Sequence, residues 1–191
     1  IAFDLGTTTV VATLIDLNTG APAAVKSILN KQQPFGADVI TRISATMMDP
    51  EGLTKLRTLA QETLAQLTRE VCEEAGVDSN TVYEVAMAGN ATMTQIILGI
   101  DPEPLGVAPF IMATADYEPV NATELGLSIH PRGKAIILPS LGAYVGGDIV
   151  AGALASGMDR DKRLRLFIDV GTNCEIILGN GEKILATAAP A

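Results

Sequence analysis

Phe3-Asp4-Leu5-Gly6-Thr7-Thr8-Thr9 lies at the start of the chain, and Phe167-Ile168-Asp169-Val170-Gly171-Thr172-Asn173 repeats its pattern near the end. Asp4 and Asp169 set the offset at 165 residues (169 minus 4), and the pairs Gly6/Gly171 and Thr7/Thr172 keep it. A period of that length is far too long for a solenoid and suits two similar lobes facing one another. In each copy a β-strand pattern ends in Asp and then turns at Gly-Thr. Glycine lets the backbone turn with its amides inward, the Thr hydroxyls add donors, and Asp can hold Mg²⁺ through water. One such turn is a weak signal. Two in register predict a clamp on a triphosphate, with Gly6, Thr7, Thr8 and Thr9 on one side and Gly171, Thr172 and Asn173 on the other.

Working outward, Ala2 to Leu5 and Thr9 to Asp16 read as a hairpin, and a third strand follows around Ala24 to Asn30. Asp49 precedes Pro50 as a helix N-cap, and Leu53, Leu56, Ala60, Leu64, Leu67, Val71 and Ala75 recur at steps of three and four until Gly76. Val82 to Met87 reads as a strand, Ala91 to Leu98 as a short helix begun by Asn90, Ala135 to Leu138 as a strand, and Asp148 to Ser156 as a helix ended by Gly157. The stretch 99–133 lacks periodicity and reads as an inserted, lid-like excursion. From Arg165 three strands restart the pattern: Arg165 to Val170, Glu175 to Leu178 and Lys183 to Ala188. The domain reading is a first lobe over 1–158, carrying the insertion, and a truncated second lobe over 159–191. The chain starts at Ile1 rather than Met, and is read as a piece of a longer polypeptide.

With 191 residues, 48% of them hydrophobic and 18% charged, a substantial core is expected and disorder is not. The net charge of −9 argues against a partner with a phosphate backbone, so no nucleic acid is expected. The apolar stretches are interrupted by polar residues and glycines, so no membrane span is expected either. Cys72 and Cys174 form no CxxC or Cys/His spacing, which leaves no disulfide framework or metal ribbon and fits a cytoplasmic setting. Cys174 reads as a half-buried small hydrophobe and His130 as a loop residue. Asp38 and Arg42, four apart, read as a helix-surface ion pair.

The two Asp-Gly-Thr hairpins, together with Pro139-Ser140-Leu141-Gly142-Ala143-Tyr144-Val145-Gly146-Gly147-Asp148 ahead of a helix, resemble the phosphate and connecting motifs of the actin, sugar-kinase and heat-shock-chaperone ATPase superfamily. That resemblance implies an α/β, ribonuclease-H-like lobe, a mixed sheet with flanking helices, followed by the first strands of a second similar lobe. It also implies ATP and Mg as ligands. Asp4 and Asp169 would position Mg through water, Asp148 would place the attacking water, and Gly146 and Gly147 would let the lobes pack closely.

Asn30-Lys31-Gln32-Gln33-Pro34-Phe35-Gly36-Ala37-Asp38-Val39-Ile40-Thr41-Arg42-Ile43, Gly89-Asn90-Ala91-Thr92-Met93-Thr94, Gly146-Gly147-Asp148-Ile149 and Thr187-Ala188-Ala189-Pro190-Ala191 are more specific. They resemble the actin-like domain of the reductive activators of corrinoid proteins, which use ATP to return Co(II) corrinoids to Co(I). The resemblance implies a [2Fe-2S] cluster on a separate ferredoxin-like domain outside this chain. Its implied partner is a corrinoid protein of the methyltransferase or methionine synthase type, with homodimer formation left open. A small-molecule kinase, a radical-dehydratase activator and an actin-type scaffold of the same superfamily are the alternatives. Cys174 stands where that pattern expects Gly.

Overall fold

A computed structural model describes residues 1–190, the side chain of Pro190 excepted; Ala191, the last residue of the Thr187–Ala191 motif, lies outside the described residues. Strands β1 (Ala2–Leu5), β2 (Thr9–Ile15) and β3 (Pro22–Leu29) form an antiparallel meander, and β4 (Glu84–Gly89) joins β1 in parallel. A two-residue β5 (Val120–Asn121) pairs antiparallel with β6 (Lys134–Ile137), which lies parallel to β4. The sheet order is β3-β2-β1-β4-β6-β5. A three-stranded meander extended by parallel crossover strands is the ribonuclease-H-like arrangement, and the mixed sheet expected from the sequence is present.

Alternation puts Phe3, Leu5, Val10, Ala12, Leu14, Val85, Met87, Ala135 and Ile137 on one face. They share a core with Leu56, Leu64, Leu67 and Val71 of the long helix α2 (Gly52–Ala75) and with Met93, Ile96 and Ile97 of α3 (Ala91–Leu98). Both helices end on a left-handed glycine, Gly76 and Gly99, and Asn90 caps α3 by accepting from the Met93 amide at 2.9 Å. Asp4, between Phe3 and Leu5, therefore points out of the opposite face.

Three differences from the sequence reading have physical causes. The helix expected from Pro50 begins at Gly52, because a separate helix α1 (Val39–Met48) ends just before it and Asp49 serves as its C-cap. A side chain at Gly52 would strike the backbone of Ala45 and Thr46 in α1, so glycine lets the two helices meet. Second, Asp38 and Arg42 do not pair. The Asp38 carboxylate caps α1, accepting from the Thr41 amide at 2.8 Å and the Thr41 hydroxyl at 2.9 Å, while Arg42 is fully buried and donates to carbonyl and amide oxygens.

Third, the stretch 99–133 is in part woven into the fold: after the single turn α4 (Glu103–Gly106), β5 extends the sheet. Ala122, Leu125, Leu127 and Ile129 enter the main core.

Helix α5 (Gly147–Ser156) leads to a second sheet, the antiparallel meander β7 (Arg165–Val170), β8 (Asn173–Gly179) and β9 (Ile184–Pro190). Ile149 of α5, Met158 and Ile177 form a small buried cluster, with Phe167 and Ile184 packed against it. A methyl at Gly152 would meet the Phe167 ring, so the small face of α5 sits directly on β7. Among the described residues no helix is long and apolar enough to cross a membrane.

Candidate functional site

The two hairpin turns meet. The Thr8 and Thr172 hydroxyls are 3.1 Å apart, and between the two sheets lies a cavity of about 680 Å³. Asp4 and Gly6 to Thr9 line it from the first hairpin, and Asp169 and Gly171 to Asn173 from the second. Asp148, in the first turn of α5, forms part of the wall, together with the small residues Ala151, Gly152 and Ala155 of the same helix.

Gly146 and Gly147 do not line the cavity. They lie behind it, where a Cβ on Gly146 would sit 2.5 Å from the Asn90 Cα and the Gly89 oxygen, and one on Gly147 would sit 2.8 Å from the Leu138 oxygen. Glycine here lets the segment entering α5 press against the ends of β4 and β6. Gly6 has a related cause, since a side chain there would collide with the Thr9 carbonyl across the turn.

Sequence reasoning missed Glu175. The first hairpin pairs Leu5 with Val10, enclosing four residues, whereas the second pairs Val170 with Cys174, enclosing three. The shorter turn shifts the register by one, so Asp4 faces Val11 but Asp169 faces Glu175. Directly opposed residues of an antiparallel pair share a face, which brings Glu175 into the cavity, 9% exposed. The alternation at β8 also explains Cys174, which is half-buried and absent from the cavity wall. Asn90, expected as a helix cap, does that work and also lines the cavity, donating from Nδ2 to the Thr7 hydroxyl oxygen at 2.9 Å.

Four carboxylates thus converge, and no Lys, Arg or His lines the cavity among the described residues. Burial pushes the Asp4 carboxyl up, helped by Asp169. Burial likewise lifts Asp148 to about 6, with Asp169 and Asp4 adding to it, and Glu175 to about 7, with Asp148 and Asp169 adding to it. Such a site lacks positive charge. Among the described residues, no three His, Cys, Asp or Glu side chains stand close enough to grip a metal directly. The donor set fits a hydrated divalent cation, because Mg²⁺ keeps several waters and needs only one or two carboxylates beside an anionic ligand. It does not fit an iron-sulfur cluster, which is held by four ligands, normally cysteines; the chain has only Cys72, buried on α2, and Cys174 on β8.

Comparison with known proteins agrees on one family. Residues 1–161 match the model of the RACo middle region. The corrinoid activation enzyme RamQ of Eubacterium limosum is 42% identical over 183 residues, an alignment covering 96% of this chain and 30% of that protein. The structure of a reductive activator for corrinoid, iron-sulfur protein superposes with a TM-score of 0.95 at 40% identity, covering 98% of this chain and 30% of the other. The chain therefore spans about a third of the length of the relatives it matches. On these matches, the chain belongs to the RACo middle region family.

Proposed function

We propose that the chain is the nucleotide-binding part of a protein that uses ATP to return the Co(II) form of a corrinoid protein to Co(I), the electron arriving from a [2Fe-2S] domain outside these residues. The observation that supports this most is the pair of Gly-Thr hairpins opposed across a single acidic cavity. Gly6 to Thr9 and Gly171 to Asn173 hold phosphate oxygens by amides and hydroxyls. Asp4 and Asp169 hold Mg²⁺ through its water shell, and Glu175, opposite Asp169, adds a third carboxylate to that shell. Asp148 orients the attacking water. Gly146 and Gly147 keep the wall close.

A cavity with four carboxylates and, among the described residues, no cationic side chain repels a bare polyphosphate, so the cation and the nucleotide are taken up together. Because the walls come from two sheets, a ligand gripping both hairpins favours one angle between them. A partner that prefers the same angle is then bound more tightly, which is how nucleotide affinity can drive an unfavourable reduction. The corrinoid partner, of the methyltransferase or methionine synthase type, belongs to this proposal, as does a cytoplasmic setting.

The test is made on the full-length protein under anaerobic conditions. Asp4→Ala and Asp169→Ala should each abolish ATP-stimulated reduction of the corrinoid protein and leave the far-ultraviolet dichroism unchanged. Full ATP stimulation in either variant would remove the two-sided clamp.

A further inference from the structure

The Asn30 to Ile43 segment, singled out in the sequence and given no task so far, runs beneath the first hairpin. Asn30 is 1% exposed and donates from Nδ2 to the Gly6 carbonyl at 2.9 Å. Arg42, fully buried, donates from Nη2 to the Thr7 carbonyl at 2.6 Å, from Nη1 to Gln32 Oε1 at 2.9 Å and from Nε to the Gly36 carbonyl at 3.1 Å. Gln32 is itself fixed, donating from Nε2 to the Leu56 carbonyl at 2.9 Å.

Helix energetics do not explain Arg42. It stands near the start of α1, where the helix dipole disfavours a cation, and among the described residues no carboxylate pairs with it, Asp38 acting on it only through space. A buried charge without a directly paired counter-ion is costly to keep. Burial lowers Arg42 to about 10, well above neutrality, so the guanidinium stays charged.

In a trans peptide the carbonyl of one residue and the amide N–H of the next point in opposite directions. With the Gly6 carbonyl drawn inward by Asn30, the Thr7 N–H is turned outward. With the Thr7 carbonyl drawn inward by Arg42, the Thr8 N–H is turned outward as well. Neither amide donates to a protein acceptor among the described residues, and both belong to residues lining the cavity. Asn90 donates to the Thr7 hydroxyl oxygen, which leaves the hydroxyl proton free for another acceptor.

We infer that Asn30 and Arg42 are positioning residues that hold the first hairpin with the Thr7 and Thr8 amides facing the cavity, in the form that accepts a phosphate group. They do not touch the ligand. The inference rests on the nucleotide reading above and adds the residues that pre-organise one half of the site. The fork of Arg42 matters as well as its charge, because three diverging oxygen acceptors and the Met93 sulfur at 3.1 Å fix its plane, and lysine offers no such plane.

The experiment uses the full-length protein and two probes, magnesium ATP and magnesium tripolyphosphate, the latter carrying no base or ribose. Arg42→Lys should weaken both by about tenfold, the scale of one lost hydrogen bond to an anion. Far-ultraviolet dichroism and cooperative unfolding should be retained. Asn30→Ala should do the same and decides the matter if Arg42→Lys does not fold. Folded variants with wild-type affinity for tripolyphosphate overturn the inference, whatever happens to ATP. If Asp4→Ala then still abolishes binding, the nucleotide reading stands without the positioning role. A wild-type protein that binds neither probe overturns both.

Discussion

The hydroxyl oxygens of Thr8 and Thr172 lie 3.1 Å apart across 164 residues of sequence. The repeat offset is 165, so the two are not equivalent positions: Thr172 corresponds to Thr7. The hairpins differ in length too, the second turn being one residue shorter than the first, which places Glu175 opposite Asp169. Two related hairpins thereby present different side chains to one space. The first contributes Asp4 and a run of threonines, the second Asp169 and Glu175.

The threonine pair is exposed, so its energetic contribution is small. Thr8→Ala and Thr172→Ala should each cost at most about 1 kcal/mol. The double variant should reveal a coupling of about 0.5 kcal/mol in urea unfolding. A coupling indistinguishable from zero would mean that the hydroxyls do not hold the sheets together in solution.

The pH dependence has an unusual sign for carboxylates. Asp148 rises from 3.8 to about 6 and Glu175 from 4.5 to about 7, burial being the main cause for each. A raised carboxyl binds its proton more tightly in the folded chain than in the unfolded one. Its contribution is therefore intact below about pH 4 and is lost as the pH climbs through the folded values. Stability should fall between pH 4.5 and 8, most steeply between about pH 5 and 7. The carboxylates that act the other way, Asp38 and Asp49 among them, have lowered values and finish titrating below this window. Glu175→Gln should flatten the slope, and millimolar Mg²⁺ should raise the thermal midpoint more at pH 8 than at pH 5. Urea titrations at four pH values check the first point, and a rise in stability with pH would contradict it.

Much of this architecture is legible in sequence where a local signal is decisive. Asn90, Gly99 and Gly157 mark helix ends, and β7 lies where its apolar residues place it. Helix α1 was obscured because its apolar residues are spread around it, Ile40, Met47 and Met48 being exposed, and because Val39, Ile40, Thr41 and Ile43 are β-branched, although Asp38 is a cap residue. Arg42 read as a surface partner of Asp38 because spacing says nothing about which way a helix faces. Glu175 depends on pairing register, which a one-residue difference in turn length decides. These are tertiary facts. The acidic residues of the strands and helix were visible singly, and their convergence was not.

Gly146 and Gly142 make a matched comparison in the loop before α5. Gly146 adopts an ordinary extended conformation, φ −84°, so its need for glycine comes from contact with the Gly89–Ala91 backbone and not from torsion. Nothing lies within 4 Å of a Cβ on Gly142. Gly146→Ala should therefore destabilise by about 1–3 kcal/mol, the usual cost of overpacking. Gly142→Ala should stay within about 0.5 kcal/mol of the parent. Equal effects in calorimetry would show that the segment relaxes away from β4.

The two faces of β7 predict opposite responses to substitution. Phe167 points to α5 and packs against the Ile149, Met158 and Ile177 cluster, whereas Leu166, Ile168 and Val170 point outward, 60%, 50% and 80% exposed. Removing the Phe167 ring forfeits packing, so Phe167→Ala should cost about 2–4 kcal/mol. In the 191-residue chain these three branched side chains form an apolar strip on one strand, which favours association of that chain. Ile168→Thr with Val170→Thr should leave the unfolding midpoint of the 191-residue chain nearly unchanged, since threonine keeps the branched shape that strands favour. The same pair should reduce binding of a hydrophobic dye and shift light scattering towards the monomer. A parent chain that is already monomeric and binds no dye would refute the patch, and a double variant that unfolds would show that this face is covered in solution.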